Sequence, residues 1–434
     1  MQFTDTIFAL SSGRLPSGVA VVRISGPSVR FVVETIAGEV PRAGRMTLKK
    51  LRSGDGWTID TGLVVFFEAP RSFTGEDAAE FHVHGGRAIV EALLRLLGSY
   101  EGLRHAESGE FTRRAFLNGK MDLVQAEALG DLIQAETEAQ RRMAMRASEG
   151  HVSRLYEGWR RRLLAVQAAI VADLDFSDES DVPDSVAERI GLDISLVRAE
   201  LEEHLSSSRQ VEIIHDGYQV VLVGPPNAGK SSLLNVLAGR DAAIVTDEPG
   251  TTRDLLDVAL DLGGLKVVVT DTAGMRDGAG SVEKIGIERA LARARTADLV
   301  VELSPPDQGA GLGRSWANSI LVRSKCDMDP CRQGGMFGIS TVTGEGIDRL
   351  IAEIRARAEA ATAIVGDGGP QKLRHRLALQ RCAEALGRAG AQMLAIELVA
   401  EELRSASSEL GRITGRIEVE EILGEVFSTF CIGK

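Results

Sequence analysis

The most constraining stretch of the chain is QVVLVGPPNAGKSSLLNVLAG, residues 219–239. A short apolar run, a glycine-bounded loop and an amphipathic run follow one another. That order predicts a buried strand, a tight turn and a helix. Gly224, Gly229, Lys230 and Ser231 fill the spacing G-x-x-x-x-G-K-[ST]. In that spacing the loop N–H groups wrap phosphate oxygens, the lysine reaches the β and γ phosphates, and the hydroxyl ligates Mg²⁺. The texture after Gln219, apolar strands alternating with helices, is that of βαβ units around a parallel sheet.

Further motifs follow in order. KVVVTDTAG, 266–274, predicts a strand ending in DxxG, with Asp271 near the metal and the Gly274 amide near the γ-phosphate. DEPGTTRD, 247–254, lies between the two motifs, and Thr251 or Thr252 would close over Mg²⁺. SILVRSKCD, 319–327, predicts a strand ending in a shape similar to N-K-x-D. An aspartate there accepts two hydrogen bonds from guanine N1 and N2 hydrogens, which adenine cannot supply. GISTVTGEG, 338–346, would back the base. GTP is therefore the expected nucleotide. One position departs from the pattern: Ser324 stands where asparagine is usual. The amide contact is lost or replaced by a shorter hydroxyl, a penalty of about 1 kcal/mol. Met275 follows DTAG and cannot orient water, so hydrolysis needs another group. Arg253 and Arg276 are candidate cationic fingers, Glu283 can polarise water through a second water, and Asn227 offers a carbonyl to a second cation.

The 434 residues suffice for two to four domains. Residues 1–118 are mixed: VAVVRIS, LVVFFEA (after the turn SGDG) and EFHVH predict strands, and RAIVEALLRLL a helix. Residues 119–214 are helical, broken by the acidic loop DFSDESDVPDS. Residues 215–362 are α/β, and 363–434, at the GDGG linker and beyond, are helical again. The α/β unit thus interrupts a helical domain whose halves flank it. The formal charge of -12 argues against a grip on nucleic acid over the whole surface. RRAF, RRMAMR and WRRRL, at 113–116, 141–146 and 159–163, are candidate local patches, and a solvated helix face is the simpler reading of each. Cys326, Cys331, Cys382 and Cys431 form no CxxC pair. With no signal peptide and no apolar run of membrane-spanning length, a cytoplasmic protein without membrane contact is expected.

These motifs, with SFTGEDAAEFHVHGG, GEFTRRAFLNGKMDLVQAEAL, DTAGMRDGAGSVEKIGIERA and the closing LGEVFSTFCIGK, resemble blocks of the MnmE (TrmE) family of tRNA-modification GTPases. The resemblance covers nearly the whole chain. It implies an α/β and all-α multidomain fold: an N-terminal α+β folate-binding and dimerisation domain at 1–118, a helical domain in two parts, and an inserted Ras-like P-loop GTPase domain at 215–362. It implies a homodimer whose G domains meet across the nucleotides, with K⁺ in place of an arginine finger. It also implies the flavoprotein MnmG as partner in a heterotetramer. Together such proteins build an aminomethyl or carboxymethylaminomethyl group on C5 of the wobble uridine of tRNA. The carbon would come from 5,10-methylene- or 5-formyl-tetrahydrofolate.

By motif match, Asn227, Thr246, Glu248 and Thr251 would ligate K⁺, Ser231 and Thr252 would hold Mg²⁺, and Glu283 would orient water. The expected GTP shell comprises Asn227, Ala228, Gly229, Lys230, Ser231 and Ser232, then Thr246, Asp247, Glu248, Pro249, Gly250, Thr251 and Thr252. Asp271, Thr272, Ala273, Gly274, Ser324, Lys325, Cys326 and Asp327 complete it. Arg23, Glu80, Lys120 and Lys434 would line the folate pocket. In FCIGK, residues 430–434, Cys431 would face carbon transfer, where a thiolate can add to a pyrimidine ring or a one-carbon unit. Its alternative role is inert packing, with Phe430 and Ile432 pinning the tail. The rival functions are a regulatory GTPase such as a ribosome-assembly factor, and a scaffold that leaves the carbon chemistry to its partner. His82 and His84 alternate on a strand, as metal ligands can, but no third ligand accompanies them.

Overall fold

The computed structural model describes residues 3–175, 184–244, 257–271, 292–306, 316, 318–328, 337–363, 368–390, 395–417, 420–428 and 430–433. Tertiary contacts group the chain into two units. The first is residues 1–130, 146–161 and 407–434, and the second is 131–145 and 162–406. Among the described residues no helix is long and apolar enough to cross a membrane.

The first unit is built on β1 (Thr6–Leu10), β2 (Ser17–Ser25), β3 (Thr47–Arg52), β4 (Thr58–Phe67), β5 (Ala78–Gly85) and β6 (Leu103–His105). They form one sheet in the order β3-β4-β5-β2-β1-β6, antiparallel except for the β1–β6 pair. Period-2 alternation sorts its residues by face. Ala20, Val22 and Ile24 of β2 and Phe81 and Val83 of β5 share a buried core with Val32 and Ile36 of helix α1 (Val29–Ala37) and with Leu93 and Leu97 of α2 (Arg87–Gly98). The intervening residues Arg23, Glu80 and His82 therefore belong to the opposite face. Helix α3 (Glu110–Leu117) covers part of that region, packing Phe111 on Ile7, Ala9 and Ala106.

The C-terminal segment returns to this unit. Phe427, on α13 (Glu420–Ser428), and Phe430 pack with Leu123 and Ala126 of α4 (Leu123–Gln134). Ile432 forms a β-bridge with Ser108, and the Ser11 hydroxyl donates to the Gly433 carbonyl at 2.8 Å. Gly433 has φ +98, and a Cβ there would lie 2.2 Å from the Leu10 carbonyl oxygen. Only glycine fits without displacement.

The helical segments are α5 (Glu138–Ser148), α6 (His151–Asp175), α7 (Asp184–Ser206), α8 (Ser208–Asp216), α11 (Leu373–Ala389) and α12 (Ile396–Thr414). On α6, Tyr156, Trp159, Leu163, Val166 and Ile170 recur at three- and four-residue spacing and are all buried. That stripe is why the segment is helical rather than extended. The acidic loop of the sequence falls mostly outside the described residues; α6 ends at Asp175 and α7 begins at Asp184.

The second unit carries a sheet of β7 (Tyr218–Val223), β8 (Asp257–Asp261), β9 (Lys266–Asp271), β10 (Leu299–Ser304), β11 (Ser319–Arg323) and β12 (Phe337–Gly338). The order is β12-β11-β10-β7-β9-β8, parallel except for β8. Its main core joins Val220 and Leu222 to Leu233 and Leu237 of α9 (Lys230–Ala238) and to Leu350 and Ile354 of α10 (Ile347–Ala361). Val221, Val223, Val300 and Ala294 fill the other face. Near-continuous apolar strands are what a sheet covered on both faces requires.

Candidate functional site

β7 brings the chain to the C-terminal edge of the parallel sheet, and residues 224–229 turn it into α9. This is where doubly wound sheets place ligands. The turn is as close as the motif predicted: a Cβ on Gly224 would lie 2.5 Å from the Leu303 carbonyl oxygen. Asn227 holds φ 62, a left-handed conformation that asparagine tolerates better than most side chains. Ala228 is fully buried and Asn227 exposed. The buried Lys230 donates to the carbonyls of Gly224 at 2.9 Å and Pro225 at 3.0 Å. Ser231 donates its hydroxyl to Asp271 Oδ2 at 2.5 Å. Asp271 ends β9, in register with Leu222 of β7, so the sheet itself aligns the two motifs. A hydroxyl and a carboxylate paired in this way form a hard-oxygen donor set of the kind Mg²⁺ takes. Ser232 is exposed on the first turn of α9.

The segment expected to hold the base lies at the mouth of β11. The Ser324 amide donates to Ser304 at 3.0 Å, and the Cys326 amide to Ile339 at 3.1 Å. Lys325 holds φ 57, and Asp327 is exposed. Burial pushes the Cys326 thiol up, reinforced by the charge of Glu345, so it stays protonated and behaves as packing. The Ser340 hydroxyl accepts from the amides of Val342 and Thr343, both at 3.2 Å, and fixes the loop behind the base position. Thr246, Asp247, Glu248, Pro249, Gly250, Thr251, Thr252, Thr272, Ala273, Gly274, Met275, Glu283, Arg253 and Arg276 lie outside the described residues.

On the sheet face opposite α1 and α2, Arg23 and Glu80 are direct cross-strand partners. Arg23 Nε and Nη2 both donate to Glu80 Oε1, at 3.0 and 2.8 Å, and His82 Nε2 lies 3.1 Å from Glu80 Oε2. The Arg23 guanidinium lies over the rings of Phe73 and Phe111. His84 turns instead to Asp60, at 2.9 Å. Lys120 is exposed and donates to the Pro70 carbonyl at 2.8 Å, at the base of the loop that carries Phe73. The tail reaches the same strands: Gly433 lies against Leu10 and Ser11, and Ala9 is in register with Arg23. Cys431 is exposed, and Lys434 lies outside the described residues.

The sequence pattern missed two charge clusters. RRAF is not simply a solvated face: Arg113 is exposed, but Arg114 is fully buried. Arg114 donates to Asp5 Oδ1 at 2.7 Å, Glu110 Oε1 at 3.1 Å and Glu76 at 3.3 Å. Arg104 adds bonds to Glu110 and Asp5. Burial alone would raise the Glu110 carboxyl, but the Arg104 and Arg114 bonds hold it below the usual range. The i,i+4 spacing of Glu110 and Arg114 was the available signal. The second cluster joins Asp131, His215, Asp216 and Lys372 where the chain enters and leaves the α/β sheet. Nothing in its spacing marks it, because Asp131, the His215–Asp216 pair and Lys372 are far apart in sequence.

Comparison with known proteins agrees with this geometry. The sequence family described as GTP-binding protein TrmE N-terminus matches residues 6–120, and that described as MnmE helical domain matches 123–431. The tRNA modification GTPase MnmE of Mesorhizobium japonicum is 53% identical over 99% of this chain and 99% of its own. That of Brucella anthropi is 53% identical over 99% of this chain and 98% of its own. Among solved structures, the G domain of the T. maritima FeoB iron transporter matches at 24% identity, 32% of this chain, 98% of its own and TM-score 0.24. The chain is a GTP hydrolase with a phosphate loop inserted among helices, and it belongs to the MnmE family of tRNA modification GTPases.

Proposed function

We propose that this protein is a K⁺-activated, dimerisation-dependent GTPase that modifies C5 of the wobble uridine of tRNA together with a flavoprotein of the MnmG type. The carbon donor would be a 5,10-methylene- or 5-formyl-tetrahydrofolate. The observation that carries this reading is 53% identity along essentially the full length to a tRNA modification GTPase. The proposed layout is an N-terminal domain at 1–118, helical parts at 119–214 and 363–434, and a G domain at 215–362.

In the G domain, Lys230 would hold the β and γ phosphates, and its amine already faces the centre of the loop through the Gly224 and Pro225 carbonyls. Ser231 would hold Mg²⁺ with Thr252, and Asp271 would steady that serine. When bound, Mg²⁺ neutralises phosphate charge. Asn227, Thr246, Glu248 and Thr251 would hold K⁺, and the exposure of Asn227 suits a cation brought in as two G domains meet. Glu283 would orient the water.

In the N-terminal domain, Arg23 offers a cation to the anionic tail of a folate, and Glu80 accepts hydrogen bonds from pterin N–H groups. Phe73 and Phe111 supply ring faces beside them. Lys120 and Lys434 would complete the pocket, and Cys431 is an exposed thiol on the tail pinned at the same strands. Val19, Leu48 and Leu63 are exposed apolar residues of the same sheet, which supports its use in a homodimer.

Nucleoside mass spectrometry of total tRNA tests the reading. Cells lacking the protein should lose a C5-modified wobble uridine, and Cys431→Ser should fail to restore it. Full restoration makes the tail a structural latch, and an unchanged nucleoside profile in the deletion makes the protein a regulatory GTPase. Hydrolysis should also be faster in KCl than in NaCl at equal ionic strength. Equal rates would remove Asn227 from the cation site.

A further inference from the structure

Residues 136–140, at the start of α5, grip the turn between β8 and β9. The Ala139 amide donates to the Gly264 carbonyl at 2.9 Å, and Lys266 pairs with Glu136 at 2.6 Å. Gly264 lies close against the helix: a Cβ there would sit 3.3 Å from Glu138 Cβ. Both partners are held from behind. Gln140 Oε1 accepts from the amides of Glu136 and Thr137, at 2.9 and 3.1 Å, and its Nε2 donates to the His215 carbonyl at 2.9 Å. In the turn, the Leu262 amide closes on the Leu265 carbonyl at 2.9 Å, and Asp261 Oδ1 accepts from the Gly264 amide at 2.6 Å. Lys266 starts β9, and Asp271 ends it, about 17 Å away at the usual rise of a strand. Between them β9 is bonded to β7 on one side and β8 on the other, and Val267 and Val269 are fully buried. Such a strand moves as a unit, because a close-packed interior has little room for local give. Its far end carries Asp271, which accepts the Ser231 hydroxyl at 2.5 Å. The gripped turn and the donor pair of the nucleotide site are thus two ends of one rigid element.

We infer that the start of α5 is a positioning device for the nucleotide site. Acting through β9, the Glu136–Lys266 pair and the Ala139–Gly264 bond hold Asp271 at Ser231 and so strengthen binding of a nucleotide with its Mg²⁺. The inference rests on the reading of Ser231 and Asp271 as the metal end of that site. The link runs both ways: two sites coupled by one free energy strengthen each other by the same factor. A bound nucleotide therefore tightens the grip on the turn as much as the grip tightens the nucleotide. Glu136 and Lys266 are positioning residues, since neither lies at the phosphate loop.

Two measurements on the full-length protein test this, with GTPγS and Mg²⁺ as the probe. In the first, hydrogen exchange of the peptide spanning 136–141 is followed with and without saturating probe. Its exchange should slow about fivefold in wild type, the low end of ordinary coupling between sites. In the second, the probe is titrated into variants. Glu136→Ala and Lys266→Ala should each weaken binding by about fivefold, and the double variant no further, because the two substitutions remove one ion pair. Lys266→Arg should bind as wild type. Glu359→Ala serves as the control: it removes the Arg355–Glu359 pair of α10, whose Arg355 lies beside Gly263 of the same turn, and should change affinity by less than about twofold. Wild type that binds the probe with no change in exchange at 136–141 would overturn the inference and leave the site reading standing. So would single variants that bind as wild type, or single effects that add in the double variant. Wild type that binds no probe would overturn the site reading itself. The exchange measurement needs no substitution, so a variant that fails to fold leaves the inference open to refutation.

Discussion

The phosphate loop and the Arg114 cluster handle charge in opposite ways. In the loop, Lys230 is buried and rests on the backbone carbonyls of Gly224 and Pro225, dipoles of the same short segment. Beside the sheet of the first unit, the buried Arg114 of α3 meets opposite side-chain charges. It meets Asp5, Glu76 and Glu110. A cation held by carbonyl dipoles can pass to an incoming phosphate without stranding a buried carboxylate. A cation held by carboxylates cannot, since removing it leaves them buried and unpaired. The first arrangement suits a ligand that comes and goes at each turnover, and the second suits a scaffold.

The largest test of this contrast removes each cation. Lys230→Ala should lower GTP hydrolysis by about 100- to 1000-fold, the scale for losing one preorganised contact to developing charge. Its melting temperature should fall far less than that of Arg114→Leu, because the Gly224 and Pro225 carbonyls that lose a donor are neutral dipoles. Arg114→Leu should do the reverse. It should leave nucleotide binding intact while destabilising the first unit by about 3–5 kcal/mol, the cost of breaking a buried ionic network from one side. Calorimetry beside a GTPase assay separates the two. An Arg114→Leu protein with an unchanged melting curve would sink the contrast.

A smaller test concerns the tail. Gly433→Ala puts a Cβ 2.2 Å from the Leu10 carbonyl and holds a left-handed φ of +98. The conformational part alone costs about 1–2 kcal/mol. The Ser11–Gly433 bond and the Ile432–Ser108 bridge should open. Carboxypeptidase should then trim the tail several-fold faster, with GTP hydrolysis by the G domain unchanged. A tail equally resistant in wild type and variant would mean that Phe430 alone anchors it.

The same contrast governs what the sequence could disclose. The phosphate loop is legible because a strand, two glycines, a lysine and a serine specify it within one window, and the structure adds only the pairing of Ser231 with Asp271 across two strands. The helical stripe of α6 is legible for the same reason, its period being local. The strands VAVVRIS and EFHVH are legible one by one, but their pairing as β2 and β5, which puts Arg23 opposite Glu80, is not, because register is a non-local property. Arg114 misleads for a related reason. In RRAF it reads as surface charge, and only the return of Asp5 and Glu76 from elsewhere makes burial tolerable. Glycine spacing marks Gly224 but not Gly433, whose constraint is the approach of β1 from more than four hundred residues away.

The smallest expected effect separates the two units by pH. His215 bonds to Asp131 and Asp216, and these bonds raise its pKa from 6.5 to about 9, against its burial and the charge of Lys372. Gln140 donates to the His215 carbonyl, so the residue is fixed from its backbone as well. A raised pKa means that the protonated form is favoured by folding. Its stabilisation is complete below about pH 6.5 and fades as the pH climbs through about 9. The first unit shows the opposite sign. Asp5 and Glu110 are held low by their arginines, so their contribution is complete above the ordinary carboxylate range and is lost in acid. Hydrogen exchange between pH 7 and 9, corrected for the intrinsic rate, should show faster opening around His215 and Lys372 and no change around Arg114. His215→Gln should remove that pH dependence. If exchange near His215 stays flat over this window, its imidazole is neutral in the folded protein and accepts from Lys372, which lies 3.1 Å from Nε2.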